Sequence, residues 1–151
     1  MKKILFSATV YIYLVAFHKP YIQLLMNKGY DVHAAASSKE GGKKEIKELG
    51  VKCHEINFSR SVTSLNNLKA IYQLHNLFKK NHYNLVHVHT PIASFLVRLV
   101  ASFYEKIKVL YTVHGFHFFK GAPLKNWIFY YPAEKIASYW TDGLIDRKSV
   151  V

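Results

Sequence analysis

Short apolar runs alternate with amphipathic stretches along almost the whole chain. Ile4–Ala8 is apolar at nearly every position, as a strand buried on both faces would be. Pro20–Lys28 follows a helical period: Pro20 suits a first turn, Tyr21, Leu24 and Leu25 share a face, and Gly29 suits the stop. Asp31–Ala36 predicts a second strand and Val51–Ile56 a third, separated by the loop Ser37–Gly42 and a short charged helix over Lys43–Leu49. After the polar loop Phe58–Thr63, Ser64 can cap a helix reaching about Lys80. Its stripe is Leu65, Leu68, Tyr72 and His75, with Ile71, Leu74 and Phe78 beside it. Leu85–His89 predicts a fourth strand, and Thr90 and Pro91 then cap and start a helix to Tyr104. That helix is apolar nearly all round except for Arg98, so it is expected to be buried. Lys108–Val113 predicts a fifth strand, Leu124–Tyr139 a helix whose aromatic residues are mostly core, and Gly143–Ile145 the start of a sixth strand.

Strictly alternating strands and helices imply an α/β fold: a parallel sheet with right-handed crossovers. The expected strand order is 3-2-1-4-5-6, a Rossmann-like sheet flanked by helices. Its topological switch falls between the first and fourth strands. Ligands bind there, where strand carboxyl ends meet helix amino ends.

The candidate chemistry collects at those ends. Leu85-Val-His-Val-His-Thr-Pro91 and Val109-Leu-Tyr-Thr-Val-His-Gly-Phe-His117 each run into histidines and then a turn or helix start. His87 and His89 are two apart on a strand and share a face. His114 precedes Gly115 at a strand end, and His117 follows in the same loop. Thr90-Pro91 places helix N–H groups at this edge, a suitable place for an anion or simply an ordinary cap. Arg60, between two serines, could fork a phosphate or stay solvated, and Lys120 has the same two readings. The spacings H-x-H and H-x-x-H are common by chance and have no carboxylate or second cysteine near them in sequence, so no metal is expected.

Composition narrows the partners. The chain has 151 residues, one domain by length, with 50% apolar and 20% charged residues. The formal net charge of +12 favours an anionic partner: a phosphorylated substrate, an acidic membrane face or nucleic acid. The basic residues are spread along the chain without a helix-turn-helix or RNP pattern, which argues against nucleic acid. Cys53 is the only cysteine, so no internal disulfide can form. Lys2-Lys3 and the apolar run Ile4–Phe17 imitate a secretory signal. However, the run is shorter than the ~20 residues of a membrane span, and no small-residue cleavage site directly follows. A buried strand followed by an apolar loop is the expectation. No G-x-G-x-x-G follows the first strand, where Thr9-Val-Tyr-Ile-Tyr13 stands, and neither a P-loop nor a G-x-S-x-G is present.

Several motifs together resemble a known family. They are Ser7-Ala-Thr-Val10, Phe17-His-Lys-Pro-Tyr21, Gly29-Tyr-Asp-Val-His33, Phe58-Ser-Arg-Ser61, Val86-His-Val-His-Thr-Pro91, Thr112-Val-His-Gly-Phe-His-Phe118, Lys120-Gly-Ala-Pro123 and Tyr130-Tyr-Pro-Ala-Glu134. From Met1 to about Ile145 the chain resembles the N-terminal half of bacterial family 4 glycosyltransferases, in the branch of capsular polysaccharide and exopolysaccharide synthesis. The resemblance implies residues 1–145 as the acceptor-side half of a GT-B fold. A C-terminal domain with a Glu-x7-Glu motif would bind the nucleotide-sugar, a co-substrate rather than a cofactor. Such enzymes retain anomeric configuration, need no metal and often sit on the cytoplasmic face of the inner membrane. Their acceptor is often a polyprenyl-diphosphate-linked saccharide.

By position, the resemblance implies a catalytic role for His114. It also implies substrate contacts for the loop Thr9–His18, with Thr9 and His18 at its ends, and for Arg60, in addition to the rim candidates His89, Thr90, Gly115, His117 and Lys120. The residues 146–151, Asp-Arg-Lys-Ser-Val-Val, break the sixth strand and are expected to be an aberrant or truncated tail. This implies a chain inactive alone, or one completed by a partner chain supplying the donor domain. The alternative reading is a non-catalytic basic module that binds anionic lipid or polyprenyl diphosphate.

Overall fold

The computed structural model describes residues 1–146. Six strands form one sheet: β1 (Lys3–Val10), β2 (Asp31–Ser37), β3 (Lys52–Glu55), β4 (Leu85–Val88), β5 (Lys108–Val113) and β6 (Gly143–Asp146). Their order is β3-β2-β1-β4-β5-β6, and every pairing is parallel. The connecting helices are α1 (Tyr11–Asn27), α2 (Lys43–Glu48), α3 (Asn66–Asn81), α4 (Pro91–Ala101) and α5 (Leu124–Ser138). The expected topology is therefore present in full.

The two-residue period of the strands divides the core into two layers. Ile4, Phe6 and Ala8 of β1 pack with Val32, Ala34 and Ala36 of β2 under α1 and α2. Leu5, Val86, Val88, Val109, Tyr111 and Val113 point the other way, under α3 and α4. The intervening positions of β4 and β5 are Leu85, His87, Leu110 and Thr112. On the α1 side these four line an apolar cavity of about 650 Å³ together with Phe17 and Tyr21.

The structure corrects the sequence expectations at several points. The helix expected from Pro20 begins at Tyr11, directly after β1, and carries Pro20 inside it. An interior proline costs ~3 kcal/mol. Burying Tyr11, Leu14, His18 and Ile22, one face at helical spacing, offsets that cost. Tyr21 and Leu24, expected on the buried face, are instead mostly exposed. On α3 the buried stripe is Ala70, Leu74, Leu77 and Phe78, while Leu65, Leu68 and Tyr72 face solvent. The aromatic residues of α5 are not core: Trp127, Phe129 and Tyr131 are exposed, and Ala137 is the buried residue of that helix. Asp146, assigned to the tail, pairs with Val113 as the last residue of β6; positions 147–151 lie outside the described residues.

α4 is largely buried, as expected, and carries its charged Arg98 inward with it. Arg98 is 1% exposed, sits 4.2 Å over the Tyr111 ring and pairs with Glu134 of α5 at 3.0 Å. This pair ties α5 to α4 by a charge that neither helix could bury alone.

Candidate active site

β1, β4 and β5 are adjacent, and their carboxyl ends form one rim. Period two puts His87 and His89 on the α1 side of β4, and Thr112 and His114 on the same side of β5. α1 adds His18 from the opposite wall, because positions 11, 14, 18 and 22 turn inward together. The result is a nest of four imidazoles. Ring centroids lie 3.6 Å apart for His18 and His89, 4.2 Å for His87 and His89, 5.9 Å for His18 and His114, and 6.0 Å for His89 and His114. Phe6 forms the floor, stacked on His89 at 6.1 Å. Tyr13 meets His114 edge-on at 5.2 Å, and Phe17 lies 6.0 Å from it.

The four rings differ in exposure and bonding. His89 is fully buried, and among the described residues neither of its ring nitrogens has a hydrogen-bond partner. His87 Nε2 is 2.7 Å from Thr112 Oγ1. His114 is exposed at the mouth. Burial pushes the His87 ring down to about 4, and the neighbouring His18 and His114 push in the same direction. Burial, followed by His87, His18 and His114, drives His89 further down. Both rings are therefore neutral at physiological pH.

Below the rings, two threonines join β1 to α4. Thr9 N–H donates to Thr90 Oγ1 at 3.0 Å, and the two hydroxyls lie 2.8 Å apart. The expected Thr90 cap is thus corrected: its hydroxyl makes no cap bond to α4, because Thr9 occupies it. Thr90 also holds φ 63°, unusual for a β-branched residue and worth ~1–3 kcal/mol of local strain. The rigid threonine pair fixes the height of His89, the residue before it.

The structure brings His18, His89, His114, Thr9 and Thr90 of the predicted set to this rim. Thr9–His18, expected as a loop, is instead the end of β1 and the first half of α1, so His18 arrives as a helical side chain. Gly115 follows His114 at φ 124°, in the region open to glycine. His117 turns away and stacks on Tyr130 at 4.7 Å. Arg60 spends its fork on Glu40, with Nη1 2.8 Å from Oε1 and Nη2 3.1 Å from Oε2. Lys120 is exposed on the loop before α5. Tyr13 and Phe17, one helical turn apart, lie within the segment Thr9–His18 but do not stand out individually while it reads as a loop. Their four-residue spacing, continued at Tyr21, was the available signal.

A parallel sheet with a polar nest at its switch point defines a Rossmann-like ligand-binding half-fold. Residues 3–148 match the family described as Glycosyl transferase 4-like, and the chain belongs to that family. It is 44% identical over 146 residues to a Bacillus subtilis (strain 168) protein named "Putative glycosyltransferase EpsD", covering 95% of this chain and 37% of that protein. Over 59 residues it is 34% identical to the Escherichia coli UDP-Gal:alpha-D-GlcNAc-diphosphoundecaprenol alpha-1,3-galactosyltransferase, covering 39% of this chain and 15% of that one.

Among solved structures, Acinetobacter baumannii MurG shares the fold with a TM-score of 0.66 at 13% identity, covering 97% of this chain and 41% of that one. A UDP-N-acetylglucosamine 2-epimerase described from Listeria monocytogenes does so at 0.69 and 12%, covering 97% and 39%. The chain thus spans well under half the length of these proteins, and its sheet is one half of a GT-B fold.

Proposed function

We propose that this chain is the acceptor-side domain of a retaining glycosyltransferase that builds a capsular polysaccharide or exopolysaccharide. It works with a nucleotide-sugar held by a second Rossmann-like domain, and its acceptor is a saccharide, most simply one linked to polyprenyl diphosphate. The observation that carries this reading is the convergence of His114, His89 and His18 on the rim between β1, β4 and β5, in a chain of this family. The relatives support the substrate class, since one of them names a diphosphoundecaprenol-linked acceptor.

In this reading His114, the exposed ring of the nest, donates a hydrogen bond to the transferred sugar where charge develops. Its edge contact with Tyr13 sets the ring's orientation. The neutral His87 and His89 keep the wall beneath it free of competing positive charge. The Thr9–Thr90 pair and Gly115 hold the rim open to the second domain. By themselves the 151 residues bind acceptor and transfer nothing.

The domain works at the cytoplasmic face of the inner membrane as a peripheral protein. Exposed Trp127, Phe129 and Tyr131 on α5, near Lys120, Lys125 and Lys135, support this with the net charge of +12. Among the described residues no helix is long and apolar enough to cross a membrane. The same surface keeps the lipid-binding module as a second reading.

The test is a sugar-transfer assay on polyprenyl-diphosphate-linked acceptor. It compares the 151 residues alone with the same residues joined to a nucleotide-sugar-binding domain. Transfer only in the joined form, reduced roughly 100-fold or more by His114→Ala, is the expected result. Transfer by the 151 residues alone overturns the division of labour, and full activity of the variant overturns the role of His114.

A further inference from the structure

The geometry points to a transition-metal site formed by His18, His89 and His114, which would take a zinc-like divalent ion. One ligand nitrogen from each of the three rings lies within 4.8 Å of the others. A tetrahedral ion with bonds of about 2.0–2.1 Å needs its ligands roughly 3.3 Å apart, so the rings must close in by up to about 1.5 Å.

Two further observations support this. His89 is fully buried, and both its ring nitrogens lack a hydrogen-bond partner among the described residues. An imidazole in that state costs folding energy unless something binds it. The fourth histidine excludes itself, because His87 Nε2 is engaged by Thr112. Three ligands remain, one each from α1, the end of β4 and the end of β5, and the exposed His114 can move inward to close the set.

Three imidazoles leave a fourth coordination position facing the mouth, where His114 is exposed. The ligand set is neutral and the chain is strongly cationic, so the ion is held by coordinate bonds and not by a negative field. The trio spans the sequence from residue 18 to residue 114, which is why neither H-x-H nor H-x-x-H revealed it. The inference does not depend on the transfer reading. Where both hold, a bound ion occupies the ring assigned to the transferred sugar, and zinc inhibits.

The experiment is a calorimetric titration of zinc chloride into the tag-free 151-residue protein, with cobalt(II) absorption as the geometric readout. One equivalent of zinc and the visible bands of a four-coordinate cobalt site are expected. His114→Ala replaces an exposed ring and leaves the fold unstrained. It should weaken zinc by at least the roughly 10–100-fold that loss of a mere outer-shell partner costs. His18→Asn should do the same from the other wall, while the exposed His82→Asn should change nothing. Failure of zinc to bind at one equivalent overturns the site. So does binding that survives both His114→Ala and His18→Asn, since it would belong to scattered surface histidines.

Discussion

The chain contains two clusters of histidines, and they are built on opposite principles. At the rim, His89 is buried with both nitrogens unanswered, and its neighbours are other rings. On the opposite face of the sheet, His33 is equally buried, but its Nδ1 is hydrogen-bonded and its Nε2 lies beside a carboxylate. Its Nδ1 lies 2.7 Å from the Tyr83 hydroxyl and 3.1 Å from His54 Nε2, and its Nε2 lies 3.3 Å from Asp31. Asp31 beside Nε2 favours the tautomer that carries its proton there, which leaves Nδ1 to accept from Tyr83. The second cluster spends its polar capacity on holding β2, β3 and the start of β4 together. The first leaves that capacity unspent at a place a ligand can reach. The same residue type at the same burial thus meets a carboxylate and a phenol in one place and only other rings in the other.

Acid gives the largest expected effect and tests what the clusters share. An unfolded imidazole takes up its proton near 6.5, whereas folded His87 resists until about 4. Because the unfolded chain binds more protons in that window, stability is complete above about 6.5 and is lost as pH falls towards 4. The loss is roughly 3 kcal/mol from His87 alone. His54, also held down to about 4 by burial, adds to it from the other cluster. Urea unfolding between pH 7 and pH 4 reads the slope, and His87→Asn and His54→Asn divide it. A flat profile would mean that neither ring is held neutral.

Next in size is His33→Ala, which strands the buried Tyr83 hydroxyl. It should cost about 2–3 kcal/mol in the same unfolding measurement. The smallest effect sharpens the contrast most. His89→Phe keeps the ring's bulk and removes two unanswered nitrogens, so stability should change by less than about 1 kcal/mol in either direction. A loss as large as that of His33→Ala would show that the rim histidine is structural, and the comparison would fail.

Legibility followed the range of each interaction. β1 to β6 and their order could be read because a strand buried on both faces must be apolar and parallel strands must alternate with helices. The burial of α4 could be read because the helix is apolar nearly all round; that Arg98 is buried too, on Glu134, could not. The start of α1 could not. Tyr11-Ile-Tyr-Leu-Val15 is apolar without a clear stripe, and Pro20 suggested a beginning that tertiary packing overrode. The aromatic residues of α5 were misplaced for the opposite reason: their hydrophobicity was plain, but what covers them is not written in their own segment. Arg60 was a reasonable phosphate ligand until Glu40, twenty residues earlier, took its fork.

The amino-acid order alone settled the class of fold, the rim on which chemistry would sit, and two of its histidines, His89 and His114. These depend on periods of two and of about 3.6 residues, which are local. Only the folded chain decided that His18 reaches them as a helical side chain across 71 and 96 residues of sequence, that Thr90 bonds Thr9 instead of its helix, and that His33 bonds Tyr83 through Nδ1 and faces Asp31 where His89 meets only rings. Those outcomes are set by which side chains meet after the sheet closes, and no local pattern records a meeting between distant segments.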